Sequence, residues 1–217
     1  MLYNNIQIDW LGHSSIFIKS KNKIIYIDPY DLQGEREKAD IILITHNHYD
    51  HCSIADIKKL IKKGTIAVIS ADCQSTINKS SIEIHTKILE PKSSTSIDDI
   101  KILAFPAYNT NKPFHPKDEY WNGYVLDIDG TRVYHSGDTD LISEMNNLSG
   151  KVDIALLAVG GTYTMDSAEA SKAALVIKPK IAIPIHYGKV VGKDVSALNF
   201  VQLCKQNNID ARILEKK

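Results

Sequence analysis

Little in this chain offers a covalent or electrostatic shortcut to a fold or a partner. It has three cysteines, Cys52, Cys73 and Cys204, an odd number with no close pairing. That argues against a disulfide framework and fits a reducing compartment. Neither sign of charge is in excess, with Lys plus Arg and Asp plus Glu at 26 each. The bulk charge therefore carries no footprint of a nucleic-acid or membrane partner. No apolar run approaches the ~18 residues that a membrane-spanning helix needs. The opening "MLYNNIQIDW" lacks the basic start and apolar core of a signal peptide. A cytoplasmic protein is the expectation, with homo-oligomerisation left open. At 217 residues the chain needs no staples, since a protein this size buries roughly 70% of its unfolded surface.

What is present is a succession of short apolar segments. "IQIDWLG", "SSIFIKS" and "KIIYIDP" read as strands, punctuated at Gly12-His13 and Lys21-Asn22. "ADIILIT" is a compact buried strand. "SIADIKKLIKKG" predicts a helix with Ser53 as N-cap, Ile54, Ile57, Leu60 and Ile61 on one face, and Gly64 as the stop. "TIAVIS" returns as a strand. The second half repeats this logic. "IKILAFPA", "GYVLDID" and "TRVYHSG" read as strands, the last two joined by a tight turn at Asp129-Gly130. "DIALLAV" follows as a strand. Asp166 and Glu169 then make a capping-box-like start to a helix that runs to about Ile177 and ends at Pro179. "KIAIPIHYG" reads as a strand, "VSALNFVQLCKQNN" as a helix and "ARIL" as a last strand. The expected organisation is α/β: one domain over 1–217 in two pseudo-symmetric halves, about 1–105 and 106–217, with helices outside two layers of sheet.

The densest chemistry lies in "ITHNHYDHCS", residues 44–53. His46, His48, Asp50 and His51 occupy six positions at a strand end, where α/β proteins place functional loops. His46 and His48 can project together from extended backbone, while Asp50 and His51 approach from beyond the turn. Imidazole and carboxylate are the ligands that a borderline cation such as Zn2+ prefers. A solvated polar loop accounts for one histidine but not for this density. Cys52 reads as a small packing residue. Further ligands are expected at other strand ends, with Asp138 in "YHSGDTD" and His186 in "IPIHYG" the best placed.

With these motifs the sequence resembles the metallo-β-lactamase superfamily. "HNHYDH" matches its His-x-His-x-Asp-His signature, and "SGDTD" and "IHYG" look like its later motifs, in the family's order. "WLGHSS" and "IDP" are similar to the lactonase-like branch, that of ascorbate-6-phosphate lactonase and the NAPE-phospholipase-D-like enzymes. The resemblance spans nearly the whole chain. It implies an αββα sandwich of two mixed β-sheets flanked by helices, with one or two metals between the sheet edges: Zn2+ foremost, Mn2+ or Fe2+ as alternatives. It assigns His46 and His48 to a first metal, Asp50, His51 and His186 to a second, and Asp138 to a bridge. Where the family has a further first-site histidine, this chain reads "FPAYNTNKPFH". Asn109 stands at the expected place and His115 six residues on. His115 is favoured as the substitute, with Asn109 or a water as its rival.

The same resemblance gives His13 a place at the pocket and, with Asp50, in catalysis. Asp28 is expected to hydrogen-bond a ligand histidine and fix its tautomer. Tyr187 and Tyr163, beside glycines, are candidates for the pocket wall. His135 reads as a buried hydrogen-bonded histidine and His85 as a surface one. The implied activity is hydrolysis of an ester, lactone, amide or phosphodiester bond in a small molecule. Two cations about 3.5–4 Å apart would supply hydroxide near neutral pH, with Asp50 orienting it. No Gly-x-Ser-x-Gly elbow offers a serine nucleophile. An iron-dependent oxidoreductase of the same superfamily and a catalytically impaired metal-binding protein are the alternatives.

Overall fold

Isoleucine, valine and alanine crowd both faces of the central strands, so these segments have no side to offer water. In the computed structural model, which describes residues 1–21 and 23–217, they form the middle of two mixed sheets. Asn22 of the expected turn at Lys21-Asn22 lies outside the described residues. The first sheet runs in the order β1 (Leu2–Tyr3), β2 (Ile6–Gly12), β3 (Ser15–Ser20), β4 (Lys23–Ile27), β5 (Ile41–Ile44), β6 (Ile66–Ile69) and β7 (His85–Ile88). Its first four strands pair antiparallel and the rest parallel. The second sheet contains β8 (Ser94–Ile97), β9 (Ile100–Pro106), β10 (Asn122–Ile128), β11 (Thr131–His135), β12 (Ile154–Ala158) and β13 (Ile181–Ile185). It follows the same plan, antiparallel from β8 to β11 and parallel from β11 to β13.

Strand periodicity divides the first sheet between two hydrophobic clusters. Ile25, Ile27, Ile41, Leu43 and Val68 belong to a large core shared with Ile102, Tyr124, Leu126 and Val133 of the second sheet. Their neighbours Tyr26, Ile42, Ile44, Ala67 and Ile69 face the other way. There they meet Ile57 and Leu60 of α1 (Ile54–Leu60) and Cys73 and Ile77 of α2 (Cys73–Lys79). On the second sheet, α3 (Ser167–Ile177) packs on β12 and α4 (Asp194–Gln206) on β13. The result is the expected αββα sandwich of two mixed β-sheets flanked by helices. All three cysteines are free and buried, and Cys52 and Cys73 share the cluster beneath α1 and α2.

Local chemistry explains where expectation and structure part. α1 starts as expected, with Ser53 Oγ accepting from the Asp56 N–H, but it ends at Leu60, well before Gly64. Thr65 Oγ1 accepts from the Lys62 N–H and donates to the Ala39 carbonyl, which pulls the chain out of the helix. At α3, Asp166 caps the Glu169 N–H at 2.8 Å, but the Glu169 carboxylate accepts from the Leu141 N–H instead of reaching back. "ARIL" forms a single bridge, Ala182 to Ala211, and not a strand, because the chain then leaves β13 and sets Lys216 beside Trp10. The turn at Asp129-Gly130 has both residues at positive φ, 51° and 78°, which suits the right-handed twist of β10 and β11. The chain passes from one sheet to the other between Ile88 and Ser94, a dozen or so residues before the expected division at 105/106.

Candidate metal centre

Parallel strands present their carboxyl ends at one edge of a sheet, and two sheets packed face to face present two such edges. Each candidate residue follows a strand. His46 and His48 lie just beyond β5, Asp28 beyond β4, Asp138 beyond β11 and His186 directly after β13. His13 sits in the turn between β2 and β3, and Asn109 and His115 in the loop after β9.

At this edge three overlapping groups form, each with ligand atoms within 4.8 Å of one another. They are His46, His48 and His115; His46, His51 and Asp138; and His13, Asp50, His51 and His186. Asp138 lies in the middle. His51, His115 and His186 bring their Nε2 atoms to 3.4, 3.3 and 3.0 Å from its carboxylate. His13 Nε2 stands 2.9 Å from Asp50 Oδ2. All of these are buried apart from His48, which is exposed.

The hydrogen bonds behind the cluster fix which nitrogen of each ring faces inward. Asp28, fully buried, accepts from the Thr45 N–H at 2.8 Å, from the Thr45 hydroxyl at 2.7 Å and from His51 Nδ1 at 2.7 Å. With its proton committed to Asp28, Thr45 Oγ1 can only accept from His46 Nδ1, 3.0 Å away. His115 Nδ1 lies 3.2 Å from Asn109 Oδ1 and 3.1 Å from the Tyr163 carbonyl. In all three rings the δ nitrogen donates to the protein and the ε nitrogen turns into the cluster. The Nε2 atoms of His51, His115 and His186 and Oδ1 of Asp138 are buried without a hydrogen-bond partner. Polar atoms orphaned in this way are costly unless something else satisfies them. Nitrogen and carboxylate donors converging at this spacing fit a divalent cation.

Electrostatics follow from burial and crowding. Burial holds His46 and His48 below the ordinary imidazole value, aided by the neighbouring histidines. His13 is pushed down to about 4, again by burial, against the pull of Asp50. Burial opposes ionisation of Asp50, yet the hydrogen bond to His13 and the charge of His51 outweigh it and hold Asp50 at about 2. The same contest ends well below the usual carboxylate range for Asp138, through His186 and His51. Burial would lower His51, but Asp138 and Asp28 hold it well above its ordinary value.

Backbone strain collects here as well. His13, Asp28 and His186 adopt left-handed φ values of 52°, 46° and 61°. Each costs on the order of 1 kcal/mol and persists only where its surroundings enforce it. The His186 N–H and the Trp10 indole N–H both donate to the His13 carbonyl at 2.8 Å, tying two of the three together. Gly160 leaves room for the His186 ring, since a Cβ there would stand 2.8 Å from Nδ1.

The geometry gathers His46, His48, Asp50, His51, His115, Asp138, His186 and His13, and puts Asp28 and Asn109 behind them. His115, not Asn109, meets the other imidazoles. Tyr187 does not line the cleft: its ring is buried and stacks on Trp10 at 4.6 Å, and burial pushes its phenol up to about 12. Tyr163 does line it. His135 is buried, accepting from the Gly137 N–H and lying 2.9 Å from the Ser14 carbonyl, and His85 is exposed. Sequence reasoning missed Thr45, whose position between a strand and the first histidine was the available signal. It also missed Asp140, which closes "SGDTD" and accepts from Asn109 Nδ2 at 3.0 Å and from Lys112. The cleft over the cluster encloses about 380 Å³. A larger cavity of about 490 Å³ lies behind Trp121 and holds none of the candidate ligands.

Two mixed sheets with a histidine–aspartate cluster at their shared strand ends define a protein of the metallo-β-lactamase fold. The chain belongs to the beta-lactamase superfamily: the model of the beta-lactamase superfamily domain matches residues 7–186. It is similar to a UPF0173 metal-dependent hydrolase from Thermococcus kodakarensis, 33% identical over 192 residues and 84% of each chain. A relative of the same description from Archaeoglobus fulgidus is 30% identical over 227 residues, covering 96% of this chain and 95% of its own. A crystal structure of a protein provisionally assigned as a metal-dependent hydrolase, from Parabacteroides distasonis, superposes with a TM-score of 0.86 at 36% identity. That match covers 98% of this chain and 94% of the other. The metallo hydrolase Igni18 from Ignicoccus hospitalis shares the fold, with a TM-score of 0.79 at 23% identity over 97% and 95% of the two chains. The chain is an enzyme of the metal-dependent hydrolase group.

Proposed function

We propose that this enzyme cleaves an ester, lactone, amide or phosphodiester bond of a small molecule with two divalent cations, zinc before manganese or iron. His46, His48 and His115 would hold one, Asp50, His51 and His186 the other, with Asp138 between them. The observation that carries this reading is the convergence on Asp138 of three buried Nε2 atoms that no protein group satisfies. When bound, such cations supply Lewis acidity and a water acidified toward neutral pH.

The chain's own residues do the rest. His13 is neutral at working pH and donates through Nε2 to Asp50 Oδ2. That bond holds the Asp50 carboxylate in place and ionised, leaving Oδ1 to orient a water and accept its proton. Thr45, Asp28 and Asn109 keep the rings turned inward before substrate arrives, so no reorganisation is needed during reaction. The inter-sheet core supports reading 1–217 as one domain. No helix among the described residues is long and apolar enough to cross a membrane, and the balanced charge supports a cytoplasmic enzyme without nucleic-acid or membrane partners. No relative named above favours the iron-dependent oxidoreductase alternative.

The test is elemental analysis of purified protein followed by a panel of esters, lactones, amides and phosphodiesters. About two equivalents of zinc and turnover in the panel are expected. Fully metallated protein that cleaves nothing would refute the hydrolytic reading. Asp138→Ala should abolish both tight binding of the second cation and turnover.

A further inference from the structure

The walls of the cleft carry no cation. Above its floor of ligand residues stand four side chains, Tyr49, Phe114, Tyr163 and Val190. Tyr49 and Phe114 are 66% and 42% exposed, among the largest apolar surfaces that the fold leaves open. Single exposed aromatics are ordinary, but these two border one concave opening beside the reactive cluster. Neither ring stands alone. Phe114 meets Tyr163 edge-on with centroids 4.7 Å apart, and Tyr49 meets Tyr30 at 5.9 Å. Nearby lysines are engaged elsewhere. Lys112 pairs with Asp140 and donates to the Thr164 carbonyl at 3.0 Å, and Lys189 pairs with Asp31 at 2.8 Å. Among the described residues, no lysine or arginine lines the cavity.

This wall chemistry discriminates between substrates. A phosphate or sulfate away from the scissile bond needs charge-assisted donors, which arginine and lysine normally provide. Without them an anionic tail loses its hydration and gains nothing in return. Alkyl or aryl surface gains by leaving water against rings already fixed in place. A cavity of about 380 Å³ lies toward the small end of ligand pockets. We infer that the enzyme, on the hydrolase reading above, acts on an uncharged acyl compound (an ester, lactone or amide) whose alkyl or aryl group packs on Tyr49, Phe114 and Tyr163, and not on a phosphorylated substrate.

Alkyl phenyl ketones, uncharged and resistant to hydrolysis, test the walls apart from the chemistry. They are titrated calorimetrically into zinc-loaded protein, with the alkyl chain lengthened from methyl to butyl. Affinity should rise about threefold per methylene. It should fall about tenfold in Phe114→Ser and Tyr49→Ser, with zinc content unchanged by elemental analysis. A flat series, or variants that bind like the parent, overturns the inference. A higher kcat/KM for 4-nitrophenyl phosphate than for 4-nitrophenyl butyrate overturns it too. If the ketones bind as expected and no ester, lactone or amide is cleaved, the hydrolase reading fails while the assignment of the walls stands.

Discussion

Asn109 and His115 are locked to each other through both backbone and side chain. The Asn109 N–H donates to the His115 carbonyl at 2.7 Å, and Asn109 Oδ1 accepts from the His115 N–H at 3.0 Å. On the proposed site, the residue standing where the family has a histidine would support the one that takes its place. Asn109→Ala should therefore keep the fold but weaken cation binding at the His46, His48 and His115 site by about 10–100-fold. Competition with a chromophoric chelator measures this, and parental affinity would show that His115 needs no such support.

Asp28 is a buried charge that faces only donors. An amide in its place turns an NH2 group toward Thr45 or His51. Asp28→Asn should destabilise the protein by about 3 kcal/mol, as expected when one partner of a buried pair is removed. Urea unfolding of the chelator-treated protein reads this directly, and an unchanged midpoint would refute it.

Cation uptake should release a proton, and His51 is its source. Asp138 and Asp28 hold His51 well above the ordinary imidazole value, which favours its protonated form. His46 and His48 lie below that value and are already neutral. A ligand must be deprotonated to bind. Zinc titrations at pH 7 in buffers of differing ionisation enthalpy should yield about one proton per protein from this source. Observed heats that do not vary with buffer would contradict it.

Gly160→Ala isolates the second half of the site. The new Cβ would crowd His186 Nδ1 at 2.8 Å and the His186 carbonyl at 2.9 Å, contacts that the ring must yield to. Zinc stoichiometry should drop from two to one, while the His46, His48 and His115 site retains its affinity. Two tightly held equivalents in the variant would show that His186 tolerates the shift.

Much of this architecture was legible because its signals are local. The alternation in "KIIYIDP" and "ADIILIT" places Ile25 and Ile41 on one face and Tyr26 and Ile42 on the other. The candidate ligands at 46, 48, 50, 51, 138 and 186 follow strands that could be read directly. What stayed hidden depends on distant chain. α2 buries only Cys73 and Ile77, too few to show a helical period. Tyr187 sits beside a glycine like a pocket residue, but Trp10 draws its ring into a stack. The choice between His115 and Asn109 rests on the path of a loop anchored by the Tyr163 carbonyl and Asp140, both far along the sequence.

The seam between the sheets has a mechanical consequence. His46, His48, Asp50 and His51 hang from the first sheet, and His115, Asp138 and His186 from the second. Two cations coordinated by both sets would rivet one layer to the other, closing a chain loop of roughly 90 residues between His51 and Asp138. Since the cysteines are all free, such cations would be the cross-links among the described residues, and stripping them would loosen the sandwich along the face of the cleft.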